Sequence, residues 1–335
     1  MPRQEWYRYE GDNLLRDLFN TVRSLGYSII APIKKNNSHI LSQVQDHSQI
    51  VLDYVRTLNS PKHFLYPNKK PLITWSLQDN ILEATSPPLK PVKIAFIGIK
   101  PCDSNSICVL DKLLLDKPAD PYYKLMRENT LIIVYDCTRS DEYCFCELTK
   151  SRIPYPECYD LWIVERDNAY YINVASKKGY SIASRLDIVP SHKPILNINS
   201  TTSSEFQKII EQLEKLYESA KWSKCSEKCL LCGGCTSICP TCICFDIVDH
   251  INQDLRSGSR LRVWTSCILR SFTIVAGGRV VRKSIDERFK FRYYHKFVFA
   301  RKRYGLYFCT GCGRCSSQCP ANINMVEVIK RVVRA

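Results

Sequence analysis

With 335 residues, of which 45% are hydrophobic and 24% charged, the chain has the composition of a soluble globular protein of one large or two ordinary domains. Its longest apolar runs, such as residues 94–99 and 131–135, are too short to cross a bilayer, and residues 1–13 lack the apolar core of a signal peptide. We therefore expect a cytoplasmic protein without a membrane partner. In a reducing compartment, its 18 cysteines indicate metal ligands or catalytic thiols rather than disulfides.

The first part of the chain, residues 1–188, mixes helix and strand patterns. Apolar residues at helical spacing predict an amphipathic helix over residues 13–25, which Gly26 would end. Residues 159–176 predict two strands joined by a turn. These patterns together favour an α/β domain.

Two buried strands are predicted over residues 92–100 and 130–136, with a helix over 106–116 between them. Strand, helix and strand at this spacing indicate a parallel, right-handed crossover unit. Cys102 and Cys137 directly follow the two strands, so both would emerge at the same carboxyl edge of the sheet, where sites tend to form.

A third metal site could form at this edge. Cys144 and Cys146 follow shortly after Cys137, so these three thiols and Cys102 could converge without a linear motif. The alternative is that they are buried cysteines without a ligand, and spacing alone leaves both possibilities open. The remaining cysteines of this part, Cys108 and Cys158, are interpreted as structural.

A turn-rich segment over residues 189–203 predicts a linker. Ser204 and Gln207 then form a capping box, which predicts that a helix begins at Ser204. We expect residues 204–335 to form a second domain.

The second domain contains a repeated cysteine quartet. The pattern Cys229-x-x-Cys232-x-x-Cys235-x-x-x-Cys239-Pro240 recurs as Cys309-x-x-Cys312-x-x-Cys315-x-x-x-Cys319-Pro320. In two-cluster ferredoxins with this spacing, the first three cysteines bind one four-iron cluster and the fourth, beside the proline, binds the other. The first predicted ligand set is therefore Cys229, Cys232, Cys235 and Cys319. The second predicted ligand set is Cys309, Cys312, Cys315 and Cys239.

Zinc is the alternative metal for these quartets. Zinc sites commonly use two Cys-x-x-Cys pairs or cysteine with histidine, and zinc gives no reason to repeat a triplet followed by Cys-Pro. The sequence thus predicts two 4Fe-4S clusters. The predicted fold class is α+β: an N-terminal α/β domain with a mixed sheet, then a helical two-cluster ferredoxin-like domain with a long basic insertion over residues 245–308.

Fourteen lysines and arginines lie within residues 256–303 of this insertion, against only Asp286 and Glu287. Ser284 and Glu287 form another capping box, which predicts a helix that ends near Gly305. The formal net charge of +15 treats every cysteine as neutral. Three clusters, each at about −2 with its thiolates, would lower it to roughly +9.

The basic segment has three interpretations. It could be a docked helix with a solvated basic face. Its cations could instead stabilise reduced clusters and steer an acidic partner. Interleaved basic and aromatic residues also allow nucleic-acid binding, although the sequence has no helicase, glycosylase or helix-turn-helix pattern to support it.

Motifs for substrate chemistry are absent from the sequence. It contains no GxGxxG dinucleotide fingerprint, no GxxxxGK phosphate loop and no HExxH metalloprotease motif. This absence favours a protein that moves electrons over one that converts a substrate. Direct reduction of a substrate at an open cluster is the enzymatic alternative, and it depends on the surplus cysteines.

Cys242, Cys244 and Cys267 lie outside the predicted ligand sets. A further metal site would lack an evident fourth ligand, because Cys225 is a doubtful candidate. We therefore expect these three thiols to pack against the first cluster. His295 could be a ligand or a hydrogen-bond partner to a cluster sulfur, but we interpret it as a structural histidine with its hydrogen bonds satisfied.

Eight segments together carry a resemblance to a known family: SPKHFLYP (60–67), GIKPCD (98–103), DPYYKLMRENTLIIVYDC (120–137), CFC (144–146), CLLCGGCTSICPTCICF (229–245), WTSCILRSFTIVAGG (264–278), RYYHKF (292–297) and CTGCGRCSSQCP (309–320). With these segments, the chain resembles the beta subunit of cytoplasmic sulfhydrogenases, which are NAD(P)-linked nickel–iron hydrogenases, and the corresponding iron–sulfur subunit of anaerobic sulfite reductases. The resemblance implies an electron-transfer subunit that sits between a flavin subunit handling NAD(P)H and a catalytic hydrogenase or sulfite reductase subunit. It also favours the third cluster, because GIKPCD, YDC and CFC belong to the shared pattern.

Overall fold

The computed structural model describes residues 5–79, 81–196 and 201–334. The strands are β1 (Glu5–Tyr9), β2 (Ser28–Lys35), β3 (Ser38–Gln43), β4 (Lys69–Gln78), β5 (Ile81–Thr85), β6 (Ile94–Ile99), β7 (Thr130–Tyr135), β8 (Leu161–Arg166), β9 (Ala169–Val174), β10 (Ile188–Ser191), β11 (Phe245–Ile251) and β12 (Ser257–Trp264). The α-helices are α1 (Leu14–Ser24), α2 (Lys62–Leu65), α3 (Pro101–Leu114), α4 (Pro121–Glu128), α5 (Lys177–Ala183), α6 (Thr201–Glu214), α7 (Lys221–Ser226), α8 (Gly234–Ser237), α9 (Ile285–Tyr294), α10 (Ala300–Tyr304), α11 (Arg314–Ser317) and α12 (Met325–Arg334).

An eight-stranded sheet organises the N-terminal part in the order β10-β1-β9-β8-β7-β6-β2-β3. The central pairs β2–β6, β6–β7 and β7–β8 are parallel, and the outer pairs are antiparallel. Every residue of β6 and β7 is buried, since apolar cores cover both faces of the sheet. The predicted mixed sheet, its parallel crossover and the α+β class are confirmed.

The crossover helix begins earlier than the sequence suggests. Residues 101–105, which precede the predicted helix, form the first turn of α3, with Pro101 at a position near the helix start where its missing N–H costs nothing. Cys102 therefore lies on the first helical turn, directly beyond β6.

A second sheet joins the two parts of the chain, in the order β11-β12-β4-β5. The β11–β12 hairpin comes from the basic insertion, and β12 pairs with β4 from the N-terminal part. The sequence analysis did not foresee this sheet. Because β12 pairs across the predicted boundary, the insertion is anchored on the N-terminal part rather than only on its own domain.

The predicted linker is shorter than residues 189–203. Residues 188–191 form β10 and pair with β1, and residues 197–200 lie outside the described residues. The next helix, α6, begins at Thr201, so Ser204 lies inside it rather than at its N-cap. The domain boundaries themselves stay a prediction.

A third core is built by α6, α7, α9 and α12, around Trp222, Phe297 and Ile329. The predicted helix of the basic segment is present: Ser284 caps α9 together with Glu287, and the helix ends at Gly305 in the left-handed conformation. Between α9 and α10 lies one π-helical turn, His295–Phe299.

One cysteine pair departs from the expectation that the thiols are free. Cys108 on α3 and Cys158 form a disulfide, with Cα atoms 5.5 Å apart, because α3 packs beside residues 156–158. Within the described residues, no helix combines the length and apolar character that crossing a membrane requires.

Candidate iron–sulfur centres

The first predicted ligand set surrounds one cavity. Cys229, Cys232, Cys235 and Cys319 all line it, so the fourth cysteine of the second quartet faces the triplet of the first. The loop can bend around this point because Leu231 and Gly233 take left-handed backbone conformations, with φ of 54° and 74°. That these four thiols bind one cluster stays a prediction.

The second predicted ligand set surrounds a neighbouring cavity. Cys309, Cys312 and Cys315 line it together with Cys239, which comes from the first quartet. The structure thus brings together both crossed groupings that the sequence predicts. Here too, the role of these thiols as ligands stays a prediction.

The second quartet's loop packs directly on the segment that carries Cys144 and Cys146. The amide of Phe145 donates to the carbonyl of Gly311 over 2.9 Å. A Cβ atom on Gly311 would lie 2.4 Å from the backbone nitrogen of Cys146, and φ at this glycine is +63°. Only glycine allows this close approach, which places the CFC segment against the second cavity.

The third predicted group also converges. Cys102, Cys137, Cys144 and Cys146 line one open cavity of about 650 Å³, and Cys312 of the second ligand set borders it as well. The parallel sheet produces this convergence, since Cys102 follows β6 and Cys137 follows β7 at the same edge. Whether they hold a cluster stays a prediction.

Without a nearby positive charge, the buried thiols of these sites would stay protonated. Burial raises the pKa of Cys137 to about 11, of Cys146 to about 12 and of Cys312 to about 11. Such thiols ionise only when positive charge lies close to them, and iron ions would provide it. The donor set therefore suits iron–sulfur clusters.

Basic side chains accompany each cavity. Arg56 donates to the Sγ atom of Cys144 over 3.2 Å, and Arg152 donates to the carbonyl of Cys137 over 3.3 Å. Lys296 donates to the Sγ atom of Cys239 over 3.2 Å. Arg56 and Arg152 are also paired with Asp141 and Asp136, so Lys296 is the cation of these three that would offset the charge of an anionic 4Fe-4S cluster.

Some of the basic side chains of the basic segment therefore point into the protein. Arg288, Lys290, Arg292 and Lys296 are all buried. Arg292 donates to the carbonyl of Cys235 over 2.9 Å and lines both quartet cavities. This geometry favours the interpretation that the cations act on the clusters, since buried side chains cannot contact a nucleic-acid backbone.

The three cavities form a row. Cys315 borders both the first and the second cavity, and Cys312 borders both the second and the third. The second cavity is therefore the middle member. The sequence patterns could place each quartet, but they carried no information on this order.

Comparisons with known proteins identify an iron–sulfur domain in this chain. Residues 228–323 match the family described as "4Fe-4S dicluster domain". The chain is also 30% identical over 328 residues to "Sulfhydrogenase 2 subunit beta" of Pyrococcus furiosus, which covers 94% of this chain and 95% of that protein. An iron–sulfur protein is thus confirmed, and with it the resemblance drawn from the sequence. The chain belongs to the family of sulfhydrogenase beta subunits.

Proposed function

We propose that this chain is the electron-transfer iron–sulfur subunit of an NAD(P)-linked nickel–iron hydrogenase. It would relay electrons between a flavin subunit that handles NAD(P)H and the catalytic hydrogenase subunit. The observation that carries this proposal is the row of three cysteine-lined cavities, in which Cys312 and Cys315 each border two neighbours. Electron transfer between centres slows steeply with distance, so adjacent centres suit a relay.

The proposed ligands are Cys229, Cys232, Cys235 and Cys319 for the first cluster, Cys309, Cys312, Cys315 and Cys239 for the second, and Cys102, Cys137, Cys144 and Cys146 for the third. When bound, each cluster would accept and release one electron at a time. The chain's own part is to hold the sites close together. Its buried cations, among them Arg292 and Lys296, would stabilise the added negative charge of the reduced state.

The partners separate the hydrogenase proposal from its alternative, the iron–sulfur subunit of an anaerobic sulfite reductase. The curated relative is named a sulfhydrogenase subunit, which favours the hydrogenase. We expect anaerobic purification of the native complex to yield a flavin subunit together with a catalytic subunit that contains nickel. A sirohaem protein in their place would contradict the hydrogenase assignment and support the sulfite reductase.

Replacing Cys312 with alanine in the native complex tests the relay. We expect hydrogen-dependent reduction of NAD(P)⁺ to fall more than tenfold, because the middle centre loses a ligand. Hydrogen–deuterium exchange, which needs only the catalytic subunit, should stay near the wild-type rate. A Cys225→Ala variant, which alters a half-buried thiol outside the three sites, is the matched control. Retained NAD(P)⁺ reduction in the Cys312 variant would contradict the relay.

Iron analysis tests the third cluster separately. We expect a Cys144→Ser variant, isolated anaerobically, to contain about four irons fewer per chain than the wild type. The loss follows because Cys144 is a proposed ligand of that cluster. Iron and labile sulfide should be unchanged in the Cys225→Ser control. Equal iron in the Cys144 variant and the wild type would show that these four cysteines hold no cluster.

A further inference from the structure

The three cysteines without a predicted role share a fourth cavity. Cys242, Cys244 and Cys267 line it together with His295, and its volume is about 80 Å³. The cavity of the first ligand set measures about 60 Å³. The volume of the fourth cavity is therefore at least that of the first cavity, which the quartet spacing assigns to a cluster.

The β11–β12 hairpin creates this convergence. Cys244 lies just before β11 and Cys267 shortly after β12, and the antiparallel pair Phe245–Trp264 brings the two chain ends together. The amide of Thr265 donates to the carbonyl of Cys244 over 3.0 Å, which continues the pairing toward Cys267.

None of these three thiols lines the first cavity, and the expectation that they pack against the first cluster stays a prediction. Instead Cys242 contacts the thiol of Cys239, a proposed ligand of the second cluster, and Cys244 contacts Cys267. The reason is that the chain turns away after Pro240 and follows the hairpin onto the second sheet.

The fourth cavity carries the same type of charge as the quartet cavities. Arg292 and Lys296 line it, and among its described lining residues there is no carboxylate. The buried Lys62 also faces the segment and donates to the carbonyl of Cys242 over 3.0 Å. Several cations that are buried without a facing carboxylate suit an anionic occupant.

His295 supplies a fourth donor. Its ring lies between Phe291 and Phe308, with centroids 5.7 Å and 5.8 Å away. Within residues 5–79, 81–196 and 201–334, its ring nitrogens have no hydrogen-bond partner among the protein atoms, and the expected structural role stays a prediction. His295 also begins the π-helical turn, and such turns frequently occur at functional sites.

We propose that Cys242, Cys244, Cys267 and His295 bind a further four-iron cluster beside the second one. A single zinc ion fits less well, because its donors must approach one another to about 4 Å. Across the described residues, these four form no group of three donors within 4.8 Å of one another. A cluster needs no such group of three, because its ligands bind different irons, and Cys244 and Cys267 would move apart when both bind it.

Iron analysis of a triple variant tests this site. We expect Cys242→Ser/Cys244→Ser/Cys267→Ser, purified anaerobically in the native complex, to lose about four irons and four sulfides per chain. A Cys225→Ser variant should lose none. An unchanged iron content, or the loss of one zinc without iron, would overturn the proposal. The iron content of this chain does not depend on which partner subunits it has. An unchanged iron content would therefore overturn the fourth site without touching the proposed function, and a different set of partners would overturn the proposed function without touching the fourth site.

A His295→Cys variant tests the fourth ligand and does not need the triple variant to fold. Histidine ligation raises the reduction potential of a cluster relative to thiolate ligation. We therefore expect this variant to keep its iron while one cluster's potential becomes more negative in a redox titration followed by electron paramagnetic resonance. Unchanged potentials and spectra for every cluster would overturn the assignment of His295.

Discussion

Replacing Arg314 with methionine is expected to destabilise the protein by about 3–5 kcal/mol, because it would leave Asp103 buried without its partner. Both side chains are only 1% exposed, and the guanidinium makes two hydrogen bonds to the carboxylate, of 2.6 and 2.8 Å. The same guanidinium donates to the carbonyl of Thr57 over 2.7 Å. Asp103 lies on the first turn of α3, and Arg314 lies between Cys312 and Cys315, so this pair ties the third site to the second quartet.

Chemical denaturation under anaerobic conditions, with iron content checked for each sample, measures this effect. The matched control is Arg260→Met, since Arg260 pairs with Asp249 at the surface with side chains 52% and 56% exposed. Its loss should cost less than about 1 kcal/mol. Equal midpoints for the two variants would contradict a structural role for the buried pair. An Asp103→Leu/Arg314→Met double variant should recover part of the loss, because no unpaired charge remains.

The sequence could predict the parts of the fold that depend on local patterns. The spacing in each quartet reflects how one short loop binds a cluster. The sequence alone could therefore predict that Cys239 joins the second triplet and Cys319 the first. The buried strands β6 and β7 were equally clear from their apolar runs. Their parallel pairing then explained why Cys102 and Cys137 meet.

These local patterns could not predict contacts between distant parts of the chain. The pairing of β12 with β4 joins segments far apart in the chain. Residues 73–78 of β4 and 260–263 of β12 do alternate apolar and polar side chains, but alternation does not identify a strand's partner. The sequence likewise showed where the charged residues lie along the chain, but not whether their side chains are buried or exposed. Lys296 and Lys302 look alike in the sequence, yet the first is buried against Cys239 and the second is exposed. A π-helical turn also changes the register between α9 and α10.

The burial of Lys296 leads to the second large effect: a Lys296→Met variant should lower the reduction potential of the second cluster. The ammonium group donates to the Sγ atom of Cys239 over 3.2 Å, to the hydroxyl of Thr241 over 3.0 Å and to the carbonyl of Phe308 over 2.8 Å. Burial alone would lower the pKa of Lys296, but the thiolates of Cys239 and Cys242 outweigh it and raise the pKa, so the group stays charged.

Reduction adds one negative charge to a cluster, and a nearby cation stabilises that state more than the oxidised one. A unit charge about 6 Å away, at an effective dielectric constant of about 20, contributes about 3 kcal/mol. For a one-electron couple this corresponds to a shift on the order of 100 mV toward more negative potential. A redox titration of the anaerobic complex, followed by electron paramagnetic resonance, measures it.

The control is Lys302→Met, which removes the same charge from a side chain that is 61% exposed and pairs with Glu214. Solvent and salt screen that position, so its potentials should stay within a few tens of millivolts of the wild type. If the two variants shifted the potentials equally, net charge rather than the buried contact would set them. If Lys296→Met left every potential unchanged, the ammonium would not act on a cluster bound by Cys239, and the proposed ligand set of the second cluster would be wrong at that residue.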